Sequence, residues 1–504
     1  MAEVSPPLGL LELASVARAE DAEVSVVDFN LLYHLDPRLR DWDFYATATE
    51  LLLREQADVY GFTSMAVDSH VALELARLVK QAEPSCVTVF GGSHFSSSAC
   101  EFLGCYPWVD YIARGEGESA FASLVRCLAS GAVALCKDIP GLWSQSSTAD
   151  KGASTVSPPP PAFDLVNIDA YFRLNPRRTL DFEASRGCRF KCAFCYSPLH
   201  YTEAHSFQID ETLCRLASLK RLGADHVFFV DDNFLNWPAF AVQFCRELDM
   251  ARLGLQWTCY ATFPQLNTNT ILWMRRAGCA AVFSGIDAVG ETSQCIFNKR
   301  FASNLGSMRC RIEQCVELGI VPTCAFLLSP PSHPCGADVN AVIGAALVAR
   351  EAGAQVRLNT FTPYTGTPSQ RGLPGRTEFD ELKVRLLLDV PECVETNAYA
   401  RSHPELFPFH ARYVPKEEWT SFIGLSHCLF TLLHAHSVDL LQMWKLYGMS
   451  PVDFAEQILK EMQDIMLVPK ERRREEELEL ASQLFGNVIC GDSVSLPSEA
   501  GRTL

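Results

Sequence analysis

Residues 180–196 read Leu-Asp-Phe-Glu-Ala-Ser-Arg-Gly-Cys-Arg-Phe-Lys-Cys-Ala-Phe-Cys-Tyr. The first six residues have the apolar, β-rich character of a strand. Three thiols, Cys188, Cys192 and Cys195, follow its end, all within one span of eight residues. Gly187 lets the chain turn sharply there, and the tight spacing brings the three sulfurs to one side. A strand that delivers reactive side chains at its carboxyl end is the unit of a β/α barrel.

Cysteine thiolates are the usual ligands of iron-sulfur clusters. Three of them would hold three of the four irons, leaving one iron open for a small molecule, as in a catalytic metal site. Two other readings stand beside this one. A structural zinc ion could use the triad with His200, although no second cysteine pair is visible, and the triad could be a chance cluster of buried thiols in a chain with 20 cysteines.

Outward from the triad, candidate strands recur at 180–185, 226–230, 256–260, 281–285, 321–326 and 356–360, separated by amphipathic helical segments. Six such units predict a partial barrel over 176–375. Upstream, Val24-Ser-Val-Val-Asp28, Asp58–Phe62, Val87–Phe90 and Asp110–Ala113 alternate with helical stretches, the pattern of a doubly wound, Rossmann-like layer over 1–143. Val71, Leu75, Leu78 and Val79 share one helical face there. Residues 144–163, rich in Ser and then Pro, read as extended linker that packs as neither helix nor sheet, within a connection spanning 144–175. From 376 to 490 the strands stop and helical spacing takes over, as in 382–388 and 452–459, with a solvated charge run at 472–478 and a flexible tail over 491–504.

Composition narrows the function classes. The chain has 504 residues and a formal net charge of -17, which argues against a protein built to grip nucleic acid. No apolar run approaches the ~20 residues of a membrane span, and the start lacks a secretory signal. A cytoplasmic protein is expected, with its many cysteines reduced.

The C-x3-C-x2-C loop after the first strand of a six-unit barrel, with an aromatic residue before the third cysteine, resembles the radical SAM superfamily over residues 180–370. The resemblance implies a [4Fe-4S] cluster on Cys188, Cys192 and Cys195, and S-adenosyl-L-methionine chelated to the fourth iron and cleaved to a 5'-deoxyadenosyl radical. Phe194 matches the aromatic position near adenine. Asp231 and Asp232 match contacts to the methionyl amine, with a surface turn or helix cap as the alternative. Gly285 and Asp287, in Ser-Gly-Ile-Asp, match a segment that usually ends in glutamate, and Thr362–Pro368 resembles the loop after the sixth strand. Tyr196, Trp257, Tyr260 and Tyr364 are candidates for the substrate pocket, core packing being the alternative. Cys393, Cys428 and Cys490 are too dispersed for a second cluster.

The layer ahead of the barrel resembles the cobalamin-binding class of that superfamily, on Pro6–Leu11, Phe90-Gly-Gly-Ser-His-Phe-Ser96 and Asp110–Glu118. By that resemblance Gly91, Gly92, Ser93, His94, Gly115 and Glu116 border cobalamin at the sheet's carboxyl edge, where open α/β sheets bind ligands. The axial-histidine motif of the family is absent. The loop from Thr63 and Ser64 to His70 would then cover the lower face of the cofactor, His70 reading otherwise as an ordinary helix-start residue. The strand that precedes the first helix in the family has no counterpart upstream of Pro6; a start placed too late accounts for this, an incomplete domain being the alternative. The implied reaction is methylation of an unactivated carbon of a natural product or peptide, two molecules of S-adenosylmethionine being consumed. Cyclisation or rearrangement with the same cofactors is the rival, and a catalytically silent cobalamin sensor is a third reading. A small-molecule or peptide substrate and an electron donor such as flavodoxin or ferredoxin are the expected partners; nucleic acid and membrane are not.

Overall fold

A computed structural model describes residues 4–40, 44–148, 158–299, 305–329, 339–373, 377–381, 383–384 and 394–435. The segments 452–459, 472–478 and 491–504 singled out above lie outside the described residues.

The amino-terminal half is a sheet whose three parallel strands run in the order β1 (Val59–Thr63), β2 (Val87–Gly91) and β3 (Tyr111–Ala113). Helices Leu8–Ala19, Ser69–Ala82 and Glu118–Ala129 pack around it. Of the face expected on helix Ser69–Ala82, Leu75 and Val79 are buried and Val71 and Leu78 half-buried, the buried side being shifted toward Ala72, Leu73 and Ala76. All three strands end at one rim, where Thr63 lies beside Gly91 in the ladder.

Two expectations fail in this half. Val24–Asp28 joins no sheet among the described residues. A β-rich run becomes a strand only where a neighbour offers ladder hydrogen bonds, and among the described residues β1 pairs with β2 alone. The Ser-rich stretch after 143 is not all linker. Leu142–Ser144 (β4) and Ser147–Thr148 (β5) form an antiparallel hairpin that adds to β3, because Gln145 and Ser146 make the tight turn and Leu142 buries its side chain.

The second sheet consists of six parallel strands with neighbours in strict chain order: β6 (Thr179–Phe182), β7 (His226–Phe229), β8 (Gln256–Tyr260), β9 (Cys279–Asp287), β10 (Val321–Leu328) and β11 (Gln355–Thr360). This is the expected partial barrel, each strand followed by helix. Its core joins Leu180, Phe182, Val227, Phe229, Trp257, Cys279, Val282, Cys324 and Phe326 into one cluster. Trp257 belongs to that core and donates Nε1–H to the Ala277 carbonyl at 2.8 Å, so it lines no pocket.

Past the barrel, helices Val394–Ser402 and Lys416–Ala435 dominate as expected, but strands do not vanish: Glu378–Phe379 pairs antiparallel with Ala411–Arg412. This region packs back on the amino-terminal half. Ala400, Leu406 and Phe407 share a core with Phe90, Phe95, Phe102 and Ile112.

Candidate functional site

The cysteine loop begins at a pinned turn. At Gly187, with φ +75°, a Cβ would come within 3.1 Å of Ala204 Cα and 3.2 Å of Tyr201 Cβ, so only glycine fits. Asn236 holds the turn from the next β/α loop, its Nδ2 donating to the Gly187 carbonyl at 2.8 Å and its Oδ1 accepting from the Arg189 N–H at 3.1 Å. The far side is held by the segment after β9. Ala193 N–H donates to the Phe297 carbonyl at 2.8 Å, and Asn298 Nδ2 to the Lys191 carbonyl at 2.8 Å.

Cys188, Cys192 and Cys195 are partly buried at this mouth. Burial pushes Cys188 up to about 11 and Cys195 up to about 12, and raises Cys192 as well. Thiols held so need a nearby cation or a metal to become thiolates. Donors to sulfur are in place: the Ser197 N–H reaches Cys195 Sγ at 3.4 Å. Among the described residues no three His, Cys, Asp or Glu side chains converge as the ligands of a single ion do, so the triad with His200 forms no ready zinc site. A cluster places each thiolate on a different iron and asks for no such convergence. The donor set therefore fits an iron-sulfur cluster.

Phe194 packs with Phe297 in an edge-on contact, ring centroids 5.2 Å apart, beside Ala288 and Phe361. Asp231 and Asp232 have parted company. Asp231 is buried, accepting from the Ala184 N–H at 3.1 Å and the Ser185 hydroxyl at 2.6 Å, which ties the ends of β6 and β7 together. Burial raises it to about 7 against those bonds. Asp232 is solvent-accessible yet ringed by protein, as a carboxylate lining a cavity would be, and burial raises it too. It accepts from Ser197 Oγ at 2.9 Å and lies in the field of Cys188 and Cys195. Of the two, Asp232 faces space that a small molecule could enter.

Gly285 and Asp287 flank an irregularity in the β9–β10 ladder. Asp287 takes φ +57°, rare for a residue with a side chain, and a Cβ at Gly285 would come within 2.5 Å of Asp287 Oδ2. The kink turns the carboxylate onto Lys299, a buried partner not foreseen from the sequence. Lys299 Nζ also sits 5.6 Å from the Phe194 ring centre. Burial works against the Lys299 charge, but Asp287 and Cys192 outweigh it and keep the ammonium firmly protonated.

At the rim of the amino-terminal sheet Thr63 Oγ1 donates to the Gly91 carbonyl at 3.3 Å, and Ser96 Oγ ties the two final turns by donating to the Ala113 carbonyl and accepting from the Gly115 N–H. Ser64 Oγ is buried with no hydrogen-bond partner among the described residues, while Met65 next to it is 72% exposed. A small-residue rim (Thr63, Gly91, Gly92, Ser93) with an orphaned hydroxyl and an exposed apolar side chain fits a large flat ligand. His70 is not on this rim. It is buried against His410, ring centroids 4.8 Å apart, and both imidazoles are kept neutral by burial, near 4 and 3. His94 points from the rim to the barrel and shares a hydrogen bond with Tyr196, Nδ1 to phenol oxygen 2.9 Å. Tyr196 lies over Tyr364 at 4.3 Å between ring centres, and Tyr260 is 36% exposed at a strand end. Glu116, expected beside a cofactor, reaches Arg186 Nη1 at 3.2 Å.

Comparison with known proteins agrees with this geometry. Residues 1–125 match the B12 binding domain family. The chain is 24% identical over 295 residues to an uncharacterized methyltransferase, PH0819, of Pyrococcus horikoshii, covering 56% of this chain and 61% of that one. It is 23% identical over 289 residues to the anaerobic magnesium-protoporphyrin IX monomethyl ester cyclase of Cereibacter sphaeroides, covering 53% and 46%. The chain thus spans about half to three-fifths of these curated relatives. In fold it resembles TsrM of Kitasatospora setae, a radical S-adenosylmethionine methyltransferase solved with cobalamin and a [4Fe-4S] cluster, with TM-score 0.63 and 16% identity over 97% of this chain and 98% of that one. No described helix is long and apolar enough to cross a membrane.

Proposed function

We propose that this chain, a radical SAM protein of the cobalamin-binding class by motif and fold, is an enzyme that methylates an unactivated carbon of a small natural product or a peptide. One observation carries the reading: His94, on the rim expected to face cobalamin, bonds to Tyr196, the residue after the last cysteine of the triad. This contact supports the reading because the rim expected to hold cobalamin and the loop expected to hold the cluster meet at one side-chain pair.

With both groups bound, the cluster supplies the electron that cleaves S-adenosylmethionine and cobalamin supplies the methyl group. The protein's own tasks are then distinct. Cys188, Cys192 and Cys195 would hold the cluster, and Asp232 would accept from the methionyl amine. Lys299, braced by Asp287, offsets the negative charge of the thiolates. Tyr196 and Tyr364 wall the space between the sites against water, and Thr63, Ser64, Gly91, Gly92 and Ser93 seat the macrocycle without an axial histidine. A flavodoxin- or ferredoxin-type donor delivers electrons, in a reducing cytoplasm that suits the free cysteines. The organisation we assign is 1–148 for cobalamin, the hairpin Leu142–Thr148 closing its sheet, 176–375 as barrel, and the described helices between 394 and 435 as a cap.

Similarity to the cyclase favours a second reading, ring closure with the same cofactors and no methyl transfer. Anaerobic incubation of the reconstituted protein with reductant, S-adenosylmethionine and candidate substrates separates the two. Methylation gives S-adenosylhomocysteine together with 5'-deoxyadenosine; cyclisation gives no S-adenosylhomocysteine. Failure to cleave S-adenosylmethionine at all would sink both.

A further inference from the structure

We propose that Arg186 is a positioning residue whose guanidinium interlocks the amino-terminal sheet with the entrance of the cysteine loop, and so fixes how the two cofactor sites face each other. The inference rests on the reading that both cofactors are bound, and adds to it the part that holds them in register.

Arg186 stands two residues before Cys188, buried to 7% side-chain exposure. Its donors reach four carboxylates. Nε donates to Glu183 Oε2 at 2.7 Å, Nη1 to Glu116 Oε1 at 3.2 Å and Glu118 Oε1 at 2.6 Å, and Nη2 to Glu12 Oε2 at 2.9 Å. Glu183 is its neighbour on the barrel. The other three come from the amino-terminal sheet layer: Glu12 from the first helix, Glu116 from the turn after β3 and Glu118 from the first position of helix Glu118–Ala129. Arg215, on the barrel helix Ile209–Arg221, grips the second oxygen of Glu12 at 3.0 Å.

Rigid anchoring makes this cluster a register device as well as glue. The Arg186 backbone is laddered to His205, Gly187 is turned as only glycine can be, and Asn236 holds its carbonyl. On the opposite side, Glu116 and Glu118 leave the turn whose Gly115 N–H is tied to Ser96, two residues from His94. A planar five-donor fork sets angles as well as distance, which a lysine ammonium cannot do. With Arg186 removed, Glu116 and Glu118 lose their cation and face Glu183 across the interface, so the amino-terminal acids would push away from the barrel.

The test uses the full chain, reconstituted anaerobically with iron, sulfide and hydroxocobalamin and reduced until cluster and cob(II)alamin are both paramagnetic. Wild type is expected to show the cobalt electron-spin signal broadened by the nearby cluster. In R186Q, iron and cobalt contents stay at wild-type levels and the broadening is lost; R186K, which keeps the charge without the fork, restores it only in part. Wild-type broadening in R186Q overturns the interlock. Should R186Q not accumulate as holoprotein, the double variant E12Q/E118Q, which strips acceptors from the amino-terminal side alone, is read by the same two outcomes. Wild type that takes up no cobalt overturns the underlying two-cofactor reading instead.

Discussion

His94 and Tyr196, 102 positions apart in the chain, share a hydrogen bond of 2.9 Å that joins the rim of the amino-terminal sheet to the cysteine loop of the barrel. His94 is fully enclosed, and burial lowers it to about 3, so the pair is neutral on both sides at physiological pH. Its loss leaves a buried ring nitrogen unbonded. Tyr196→Phe should lower unfolding free energy by about 1–2 kcal/mol, measured by anaerobic denaturant titration. No change would mean the bond does not form.

Each of Cys188→Ala, Cys192→Ala and Cys195→Ala should abolish the broad visible absorption of the reconstituted cluster while far-ultraviolet circular dichroism stays at the wild-type level. The three thiols are only partly buried and contribute little to the core. A single variant that retains full iron would remove that cysteine from the ligand set.

Lys299 and Asp287 form a buried pair next to Cys192. Lys299→Met leaves the Asp287 carboxylate buried alone and should cost about 3–5 kcal/mol. It should also shift the cluster potential to more negative values, because a cation beside thiolates favours the more negatively charged, reduced state. Adding Asp287→Asn should restore much of the stability, the two changes being coupled. Redox titration followed by electron paramagnetic resonance checks the potential; a potential that rises in Lys299→Met would contradict the assignment.

Glu12 is raised to about 8 by burial, then by Glu183, against the pull of Arg186 and Arg215. The folded chain therefore binds a proton that the unfolded chain releases above about 4.5. That contribution is complete below pH 4.5 and is lost as pH climbs through 8. Thermal melts between pH 6 and 9 should show falling stability for wild type and a flatter profile for Glu12→Gln. Stability rising over that range would refute the sign.

Sequence made the barrel legible because its central strands, such as Cys279–Asp287 and Val321–Leu328, are largely buried apolar runs, and runs of that kind need no partner to be recognised. Cys188, Cys192 and Cys195 were legible for a related reason, since all three ligands lie within one loop. Val24–Asp28 misled because strand character is local while a ladder is not. The stretch at Ser144–Thr148 misled because serine composition hid a two-residue turn. Arg186 with Glu12 was beyond reach: 174 positions separate them, and only the folded chain brings the first helix onto the loop at the start of the barrel. Lys299 left no signal either, for its role depends on the kink that carries Asp287 over Gly285.

Whether one chain holds both a cluster and a cobalamin is read from anaerobic reconstitution followed by iron, sulfide and cobalt analysis of the desalted protein. About four iron and about one cobalt per chain are expected. Iron bound with cobalt absent would contradict the two-cofactor reading.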